Sequence, residues 1–333
     1  MTIAPKIYVI HENSAWLPPL RAAFEAEQTP YEEWLLDRLT VDLSTVPPEG
    51  VFFSRMSASN YTRGHVHANH STDIVLRWLE AHGRRVINGS NVLQLELSKA
   101  AQQIRLDQAG IATPKTVVAV GRDKISNAAR QLGQEPFIVK PNQGGKGLGV
   151  QLYGSLGELE QALESNDLPE TLDDVWLVQE KIASEEEHIT RAEFVGGKFL
   201  YAVNVFSGGS FELCPADACN VDFAEFCPAG ANETPEPAPE TGPRFEISQA
   251  PDLDLVAQLE KVLSTNGIEV AGIEYIRRPD GTPVVYDINT NTNYNAAAEE
   301  AAGVEAGGME TIAAFLADEL ASLVAVQPLK ATA

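Results

Sequence analysis

The chain has 333 residues, three cysteines and a formal net charge of −23 at pH 7, and this length predicts two or three packed lobes. So acidic a chain is unsuited to bind nucleic acids or anionic membranes, and three cysteines cannot form a full disulfide framework. Because no apolar run reaches membrane-spanning length and the start lacks a signal-peptide core, we expect a cytoplasmic protein with a largely solubilising acidic surface.

The N-terminal part, residues 1–97, alternates predicted strands with predicted helices. Strands are expected at Lys6–Ile10, Val51–Ser54 and Arg85–Ile87, and helices at Trp16–Gln28 and Asp73–His82. This alternation is typical of a parallel sheet covered by helices. Ligands bind such sheets beyond the carboxyl ends of the strands.

A polar segment follows the second of these strands and carries two arginines. Arg55 and Arg63 are candidates for binding a carboxylate, because a guanidinium pairs with it through two parallel hydrogen bonds. A solvated loop is the alternative. His65, His67 and His70 have a spacing that zinc could use, but no cysteine or acid completes the set, so we expect loop histidines.

The central part, residues 98–178, begins with a helix predicted over 99–115 and contains a strand that runs into a glycine-rich loop. The sequence predicts a buried strand at Phe137–Val139 and a second, returning strand at Val150–Tyr153. Backbone amides without side chains cradle phosphate oxygens, and lysines add point charges. Neither the P-loop pattern nor the dinucleotide pattern fits, and a plain hairpin turn is the alternative. The candidate phosphate ligands are Lys140, Gly144, Gly145, Lys146 and Gly147.

The C-terminal part, residues 179–333, contains two predicted hairpins. The first joins Ile189–Val195 to Lys198–Val205, and its alternation places Arg191 and Glu193 on one face. The second joins Gly272–Ile276 to Pro283–Asn289 through a Pro-Asp-Gly turn. It brings together Glu274, Asp287 and Asn289, three oxygen donors that suit Mg²⁺. Ordinary acids on a solvated strand face are the alternative.

The remaining C-terminal segments are less informative. Residues 204–244 hold all three cysteines, without the spacing of a zinc knuckle, and their proline-rich end predicts a mobile loop. Helices are predicted at Asp252–Asn266 and at Gly307–Leu323.

Taken in chain order, these segments resemble the ATP-grasp superfamily, and most closely its RimK-like carboxylate–amine ligases. The resemblance covers residues 88–325. It rests on Asn88–Leu93 followed by Lys99, on Gly110–Thr116, on the glycine-rich loop, on Val178–Ile182 and on the second hairpin. It implies an α/β (α+β) ATP-grasp fold with an N-terminal parallel-sheet lobe, a small nucleotide lobe and a C-terminal antiparallel-sheet lobe.

The resemblance also assigns roles. It implies an ATP-dependent enzyme that joins a small carboxylate, expected to be an amino acid, to an amine through an acyl phosphate, with Mg²⁺ or Mn²⁺ as the metal. Arg191 would face phosphate or the acyl intermediate, with a cross-strand salt bridge as the alternative. Arg55 and Arg63 would hold the acceptor. Lys99 would contact phosphate with Lys140; Glu180, Lys181 and Ile182 would contact adenine; and Glu187 would contact ribose.

Three departures from the family pattern leave alternatives open. The ribose acid is chosen from Glu185, Glu186 and Glu187. The family ending after the metal asparagine is replaced by Asn289–Asn295, and the substrate loop is not recognisable between Asn204 and Arg244. A small-molecule kinase and a non-catalytic nucleotide-binding regulator are therefore the rival functions. The acid, the amine and the existence of a homo-oligomer stay open.

Overall fold

The computed structural model describes residues 4–145, 147–168, 171–206 and 244–326. Within them the strands form three sheets, one parallel and two antiparallel. The predicted mobile loop, all three cysteines and Lys146 lie outside the described residues. No helix in the described part of the chain is both long and apolar enough to cross a membrane.

The first sheet is parallel, with strand order β2-β1-β3-β4. Its strands and the adjoining helices are β1 (Lys6–His11), α1 (Pro18–Ala26), β2 (Tyr31–Leu35), β3 (Gly50–Ser54), α2 (Ala68–Ala81), β4 (Arg85–Ile87) and α3 (Ser90–Glu96). The predicted strands are confirmed, whereas β2 and α3 were not predicted. The expectation of loop histidines is wrong for His70, which lies within α2.

The central sheet is antiparallel, in the order β5-β8-β6-β7. Its region comprises α4 (Lys99–Gln108), β5 (Thr116–Val120), α5 (Ile125–Leu132), β6 (Phe137–Pro141), β7 (Gln151–Tyr153), α6 (Leu156–Glu164) and β8 (Val175–Glu180). The range 99–115 predicted for the first helix is too long, since α4 ends at Gln108, but the expectation that Gly110 ends it is confirmed: Gly110 follows with a φ of +75°. That left-handed conformation favours glycine and stops the helix.

The third sheet is antiparallel, in the order β11-β10-β9-β12-β13. It consists of β9 (Ile189–Val195), β10 (Lys198–Phe206), β11 (Arg244–Ile247), β12 (Val270–Arg277) and β13 (Pro283–Asn289), with α7 (Leu253–Asn266) on one face. Both predicted hairpins are confirmed. Asp252, predicted as the first residue of α7, instead caps the helix by accepting a hydrogen bond from the Leu255 amide.

The chain ends by packing back onto its beginning. After the unpredicted α8 (Ala296–Ala302), α9 (Gly308–Val326) buries Ile312, Leu316 and Leu320. Their core cluster also contains Val9 and Phe53 of the first sheet. The first and last parts of the chain therefore share one core, whereas the central sheet has its own.

Candidate active site

A cavity of about 960 Å³ lies between the central sheet and the third sheet. The predicted nucleotide and metal residues that line it are Lys99, Lys140, Gly144, Gly145, Gly147, Glu180, Lys181, Ile182, Glu187, Glu274 and Asp287. The lining of this cavity does not include Asn289, Arg55, Arg63 or Arg191. Segments far apart in the chain thus converge on one concave site, as expected of a ligand pocket.

Two buried lysines form one wall of this cavity. Lys140 is the last but one residue of β6, and its ammonium lies 5.8 Å from the centre of the Tyr286 ring. Burial, and then repulsion from Lys99, lower the pKa of Lys140 to about 8. Lys99 begins α4 and its Nζ donates to Asp287 Oδ1 at 2.5 Å. Burial lowers the pKa of Lys99, but the attraction of Asp287 outweighs it and the net shift is upward.

The glycine-rich loop lies against the polar segment of the first lobe. A Cβ atom added to Gly145 would come within 3.4 Å of Ser59 Cβ, and one on Gly144 within 3.7 Å of the Tyr61 hydroxyl. Gln143 Nε2 also donates to the Ala58 carbonyl over 3.4 Å. The loop is therefore the point where the central lobe and the first lobe meet, beside the two lysines.

The other end of the cavity is formed by the end of β8 and the residues after it. Glu180 accepts hydrogen bonds from Arg278 and, at 3.1 Å, from Gln134 Nε2. Of the three neighbouring acids, Glu186 and Glu187 line the cavity and Glu185 does not. Glu186 is 3.7 Å from Arg277 Nε, so it is already engaged in an ion pair.

The predicted metal ligands meet on β12 and β13. Glu274 and Asp287 are directly opposite in the register of the two strands, and Asn289 Nδ2 donates to Glu274 Oε1 over 3.3 Å. Burial, and then the nearby Asp287 carboxylate, raise the pKa of Glu274 to about 7. The described residues contain no group of three His, Cys, Asp or Glu side chains suited to a metal. The candidate set is thus two carboxylates and one amide oxygen.

Arg191 lies next to this set, opposite Glu274 in the pairing of β9 with β12. Its Nε donates to Glu193 Oε1 at 2.5 Å and its Nη2 to the Asn293 carbonyl at 3.0 Å. The hydrogen-bonded ion pair of Arg191 therefore lies along β9, with Glu193, rather than across the strands as expected of the alternative, although Glu274 across the strands also attracts it. The second carboxyl oxygen of Glu193 accepts from Thr292 Oγ1 at 3.1 Å.

The first half of the polar segment after β3, residues 54–60, is buried rather than solvated. Arg55 is 3% exposed, and burial lowers its pKa to about 10. Its guanidinium donates to Asn291 Oδ1 at 3.2 Å, to Asn293 Oδ1 at 2.8 Å and to the Thr292 carbonyl at 3.3 Å. Arg55 thereby joins the first lobe to the unusual Asn289–Asn295 segment.

Arg63 has a different set of partners, centred on a residue that the sequence analysis missed. Its Nη2 lies 2.5 Å from Glu12 Oε1, and its guanidinium lies over the Trp16 ring. The other oxygen of Glu12 is 2.8 Å from His65 Nδ1. Glu12 immediately follows β1, so the rule that selected Arg55 at a strand end could also have selected it.

Comparison with known proteins gives one family match and several structural similarities. The family model described as the RimK-like ATP-grasp domain matches residues 98–212. This part of the chain therefore resembles an ATP-grasp domain. Its structure is similar to that of a RimK-domain ATP-grasp protein from Sphaerobacter thermophilus, with a TM-score of 0.64 and 17% sequence identity, over 95% of this chain and 99% of the other.

Two further similarities are to proteins named as ligases. A curated protein of Xanthomonas campestris named "probable alpha-L-glutamate ligase" is 27% identical over 237 residues, which is 70% of either chain. A D-alanine–D-alanine ligase from Bacillus anthracis superposes with a TM-score of 0.61 and 16% identity, over 96% of this chain and 98% of the other.

Proposed function

We propose that this ATP-grasp protein is an ATP-dependent ligase that forms an amide bond between a small carboxylate, such as an amino acid, and an amine. The observation that carries the proposal is one cavity lined by two buried lysines, a glycine-rich loop and two paired carboxylates. The similar proteins named as glutamate and D-alanine ligases agree with the same reaction type.

The electrostatics of the cavity fit a nucleotide. Lys99 and Lys140 are close enough for their charges to lower the pKa of Lys140, so an anion between them is favoured. The polyphosphate of ATP meets this requirement, with backbone amides of Gly144, Gly145 and Gly147 as further donors. The base and sugar would lie toward Glu180, Lys181, Ile182 and Glu187.

The two carboxylates favour a divalent cation, just as the two lysines favour an anion. Burial, and then the nearby Asp287 carboxylate, raise the pKa of Glu274 to about 7, and a cation bound beside Glu274 would favour its charged form. Mg²⁺ needs only one or two protein carboxylates, since phosphates and water complete its shell. Bound between these residues and ATP, it would neutralise the charge that develops on the transferred phosphoryl group.

The chain's part in the reaction is then positioning and charge stabilisation. The substrate carboxylate attacks the γ-phosphorus, ADP leaves, and an acyl phosphate results. The amine attacks the acyl carbon, phosphate leaves, and the amine gives up a proton. Arg191, beside Glu274, would hold the transferred phosphate or the acyl oxygen. Arg55 and Arg63 would orient the acceptor acid from the first lobe only by exchanging one of their present partners, Asn293 or Glu12, for that acid.

An acyl phosphate can be intercepted, which tests the reaction type directly. We expect hydroxylamine to yield a hydroxamate of the true acid substrate, because it attacks the acyl carbon in place of the amine. The measurement is a screen of amino acids for ADP release, with mass spectrometry of the products. The hydroxamate should require ATP, Mg²⁺ and the acid, and adding the native amine should divert it to the amide. A stable phosphorylated product, without hydroxamate or amide for any substrate pair, would instead identify a kinase.

The pKa of Lys140 predicts how nucleotide binding depends on pH. The charged ammonium binds phosphate, and with a pKa of about 8 in the ligand-free protein it is mostly charged below pH 8 and neutral above it. The dissociation constant for ADP should therefore rise on the order of tenfold between about pH 7 and about pH 9. Calorimetry at both values checks this. Lys140→Arg keeps its charge throughout this range and should abolish the rise; the same rise in both proteins would exclude Lys140 as its cause.

A further inference from the structure

The free edge of β13 carries the candidate metal ligands. Among the described residues, β13 is the last strand of its sheet and pairs only with β12. Asp287 and Asn289 lie two residues apart and face the same side, whereas Ile288 between them is buried in the core under α7. The backbone groups on the outer edge of a buried strand need partners, and here they have no further strand to supply them.

The side chain of Gln102 takes the place of a strand at Ile288. Its Nε2 donates to the Ile288 carbonyl at 2.8 Å, and its Oε1 accepts from the Ile288 amide at 3.0 Å. A second Nε2 hydrogen bond, to the Leu95 carbonyl at 2.9 Å, fixes the orientation of the amide. Gln102 is 2% exposed. It lies one helical turn beyond Lys99, so the same face of α4 holds both Asp287 and Ile288.

A second pair of buried side chains holds Thr290, on the other side of Asn289. Glu96 Oε2 accepts from the Thr290 amide at 2.7 Å and from its hydroxyl at 2.9 Å, while Oε1 accepts from the Ala58 amide at 3.1 Å. Asn88 Nδ2 donates to the Thr290 carbonyl at 3.0 Å. By contrast, β13 is held at Val285, farther from Asn289, by a backbone hydrogen bond that the Val285 amide donates to the Ala112 carbonyl.

We propose that Gln102, assisted by Glu96, is a positioning residue for the magnesium site. Gln102 and Glu96 clamp the backbone immediately before and after Asn289, and so fix the direction in which Asp287 and Asn289 present their oxygens. Mg²⁺ tolerates little departure from octahedral geometry, so a ligand strand that can shift binds it more weakly. This inference rests on the proposed metal site and adds to it the device that holds its ligands in place.

The test compares two substitutions on the same helix. Gln102→Met keeps the length of the side chain and removes all of its hydrogen bonds to Ile288. Gln103→Met, the matched control, removes one bond, to the Pro114 carbonyl at 2.9 Å. The readout is the Mg²⁺ concentration that gives half of the thermal stabilisation by ADP, with calorimetry of ADP binding at saturating Mg²⁺. We expect about a tenfold higher Mg²⁺ requirement for Gln102→Met, a typical cost of losing support behind metal ligands, and an unchanged requirement for Gln103→Met.

The outcomes separate this inference from the function on which it rests. If ADP stabilises the unmodified protein without any dependence on Mg²⁺, the metal site itself is wrong. If that dependence exists and Gln102→Met melts earlier with the same Mg²⁺ requirement, Gln102 supports only the fold and the inference is overturned. Should Gln102→Met yield no folded protein, Thr290→Val, which loses one hydrogen bond to Glu96 and nearly keeps its shape, carries the same comparison. A raised requirement supports the inference, and an unchanged one rejects it.

Discussion

Replacing Lys140 by methionine should lower turnover by about 10²–10³-fold, the loss typical of removing one group that stabilises developing charge. The ammonium is buried at the end of β6 and faces the cavity together with Lys99. Methionine keeps the length of the side chain and removes its charge, so packing is preserved while phosphate loses a charged partner. ADP affinity should fall as well, by about 10- to 100-fold, because hydrogen bonds to charged groups contribute about 1.5–3 kcal/mol.

The matched control is Lys124→Met on the same lobe. Lys124 is exposed and paired with its neighbour Asp123, so its loss should leave turnover and ADP affinity unchanged. Kinetics with the ligase substrates, calorimetry with ADP and a melting curve distinguish lost function from lost structure. Unchanged ADP affinity in a folded Lys140→Met protein would show that the glycine-rich loop does not bind the phosphates.

The features that the sequence predicted well are those encoded over short stretches of chain. The glycine-rich loop and both hairpins depend on residues within about twenty positions of one another. Over such a distance, turn residues and strand alternation can be recognised in the sequence. The opposition of Glu274 and Asp287 followed from one such hairpin, and the register confirms it.

What the sequence could not predict depends on contacts between distant segments. Arg55 donates hydrogen bonds to Asn291 and Asn293, which lie more than two hundred residues later in the sequence. No local sequence pattern predicts that pairing. The same holds for Gln102. A glutamine on a helix is expected at the surface, and only the packing of β13 beside α4 buries it. The strand β2, with the sequence Tyr-Glu-Glu-Trp-Leu, was missed because it is a half-exposed edge strand whose apolar residues do not alternate.

These long-range contacts have a consequence for how the lobes cooperate. Glu96 accepts from Ala58 of the first lobe and from Thr290 after the β12–β13 hairpin, while Lys99, three residues on, reaches Asp287. Ser98 Oγ, next to Lys99, donates to Asn142 Oδ1 in the segment that leads into the glycine-rich loop. The short stretch 96–102 therefore contacts all three regions that line or border the cavity.

Asp287→Asn is expected to have the largest effect, a loss of Mg²⁺-dependent turnover on the order of 10³-fold, since a metal contributes several kcal/mol to charge stabilisation in the transition state. Asparagine has the same shape and retains an oxygen that can accept from Lys99 Nζ, so the fold should persist, but one anionic metal ligand becomes neutral. Asp280→Asn is the matched control: it makes the same change in the turn of the same hairpin, where the exposed side chain accepts from the Thr282 amide. Turnover measured across a Mg²⁺ titration, with a melting curve for each protein, provides the comparison. If Asp287→Asn stays near the unmodified activity throughout the titration, Asp287 does not bind the metal, and the charge that Lys99 neutralises has only a structural role.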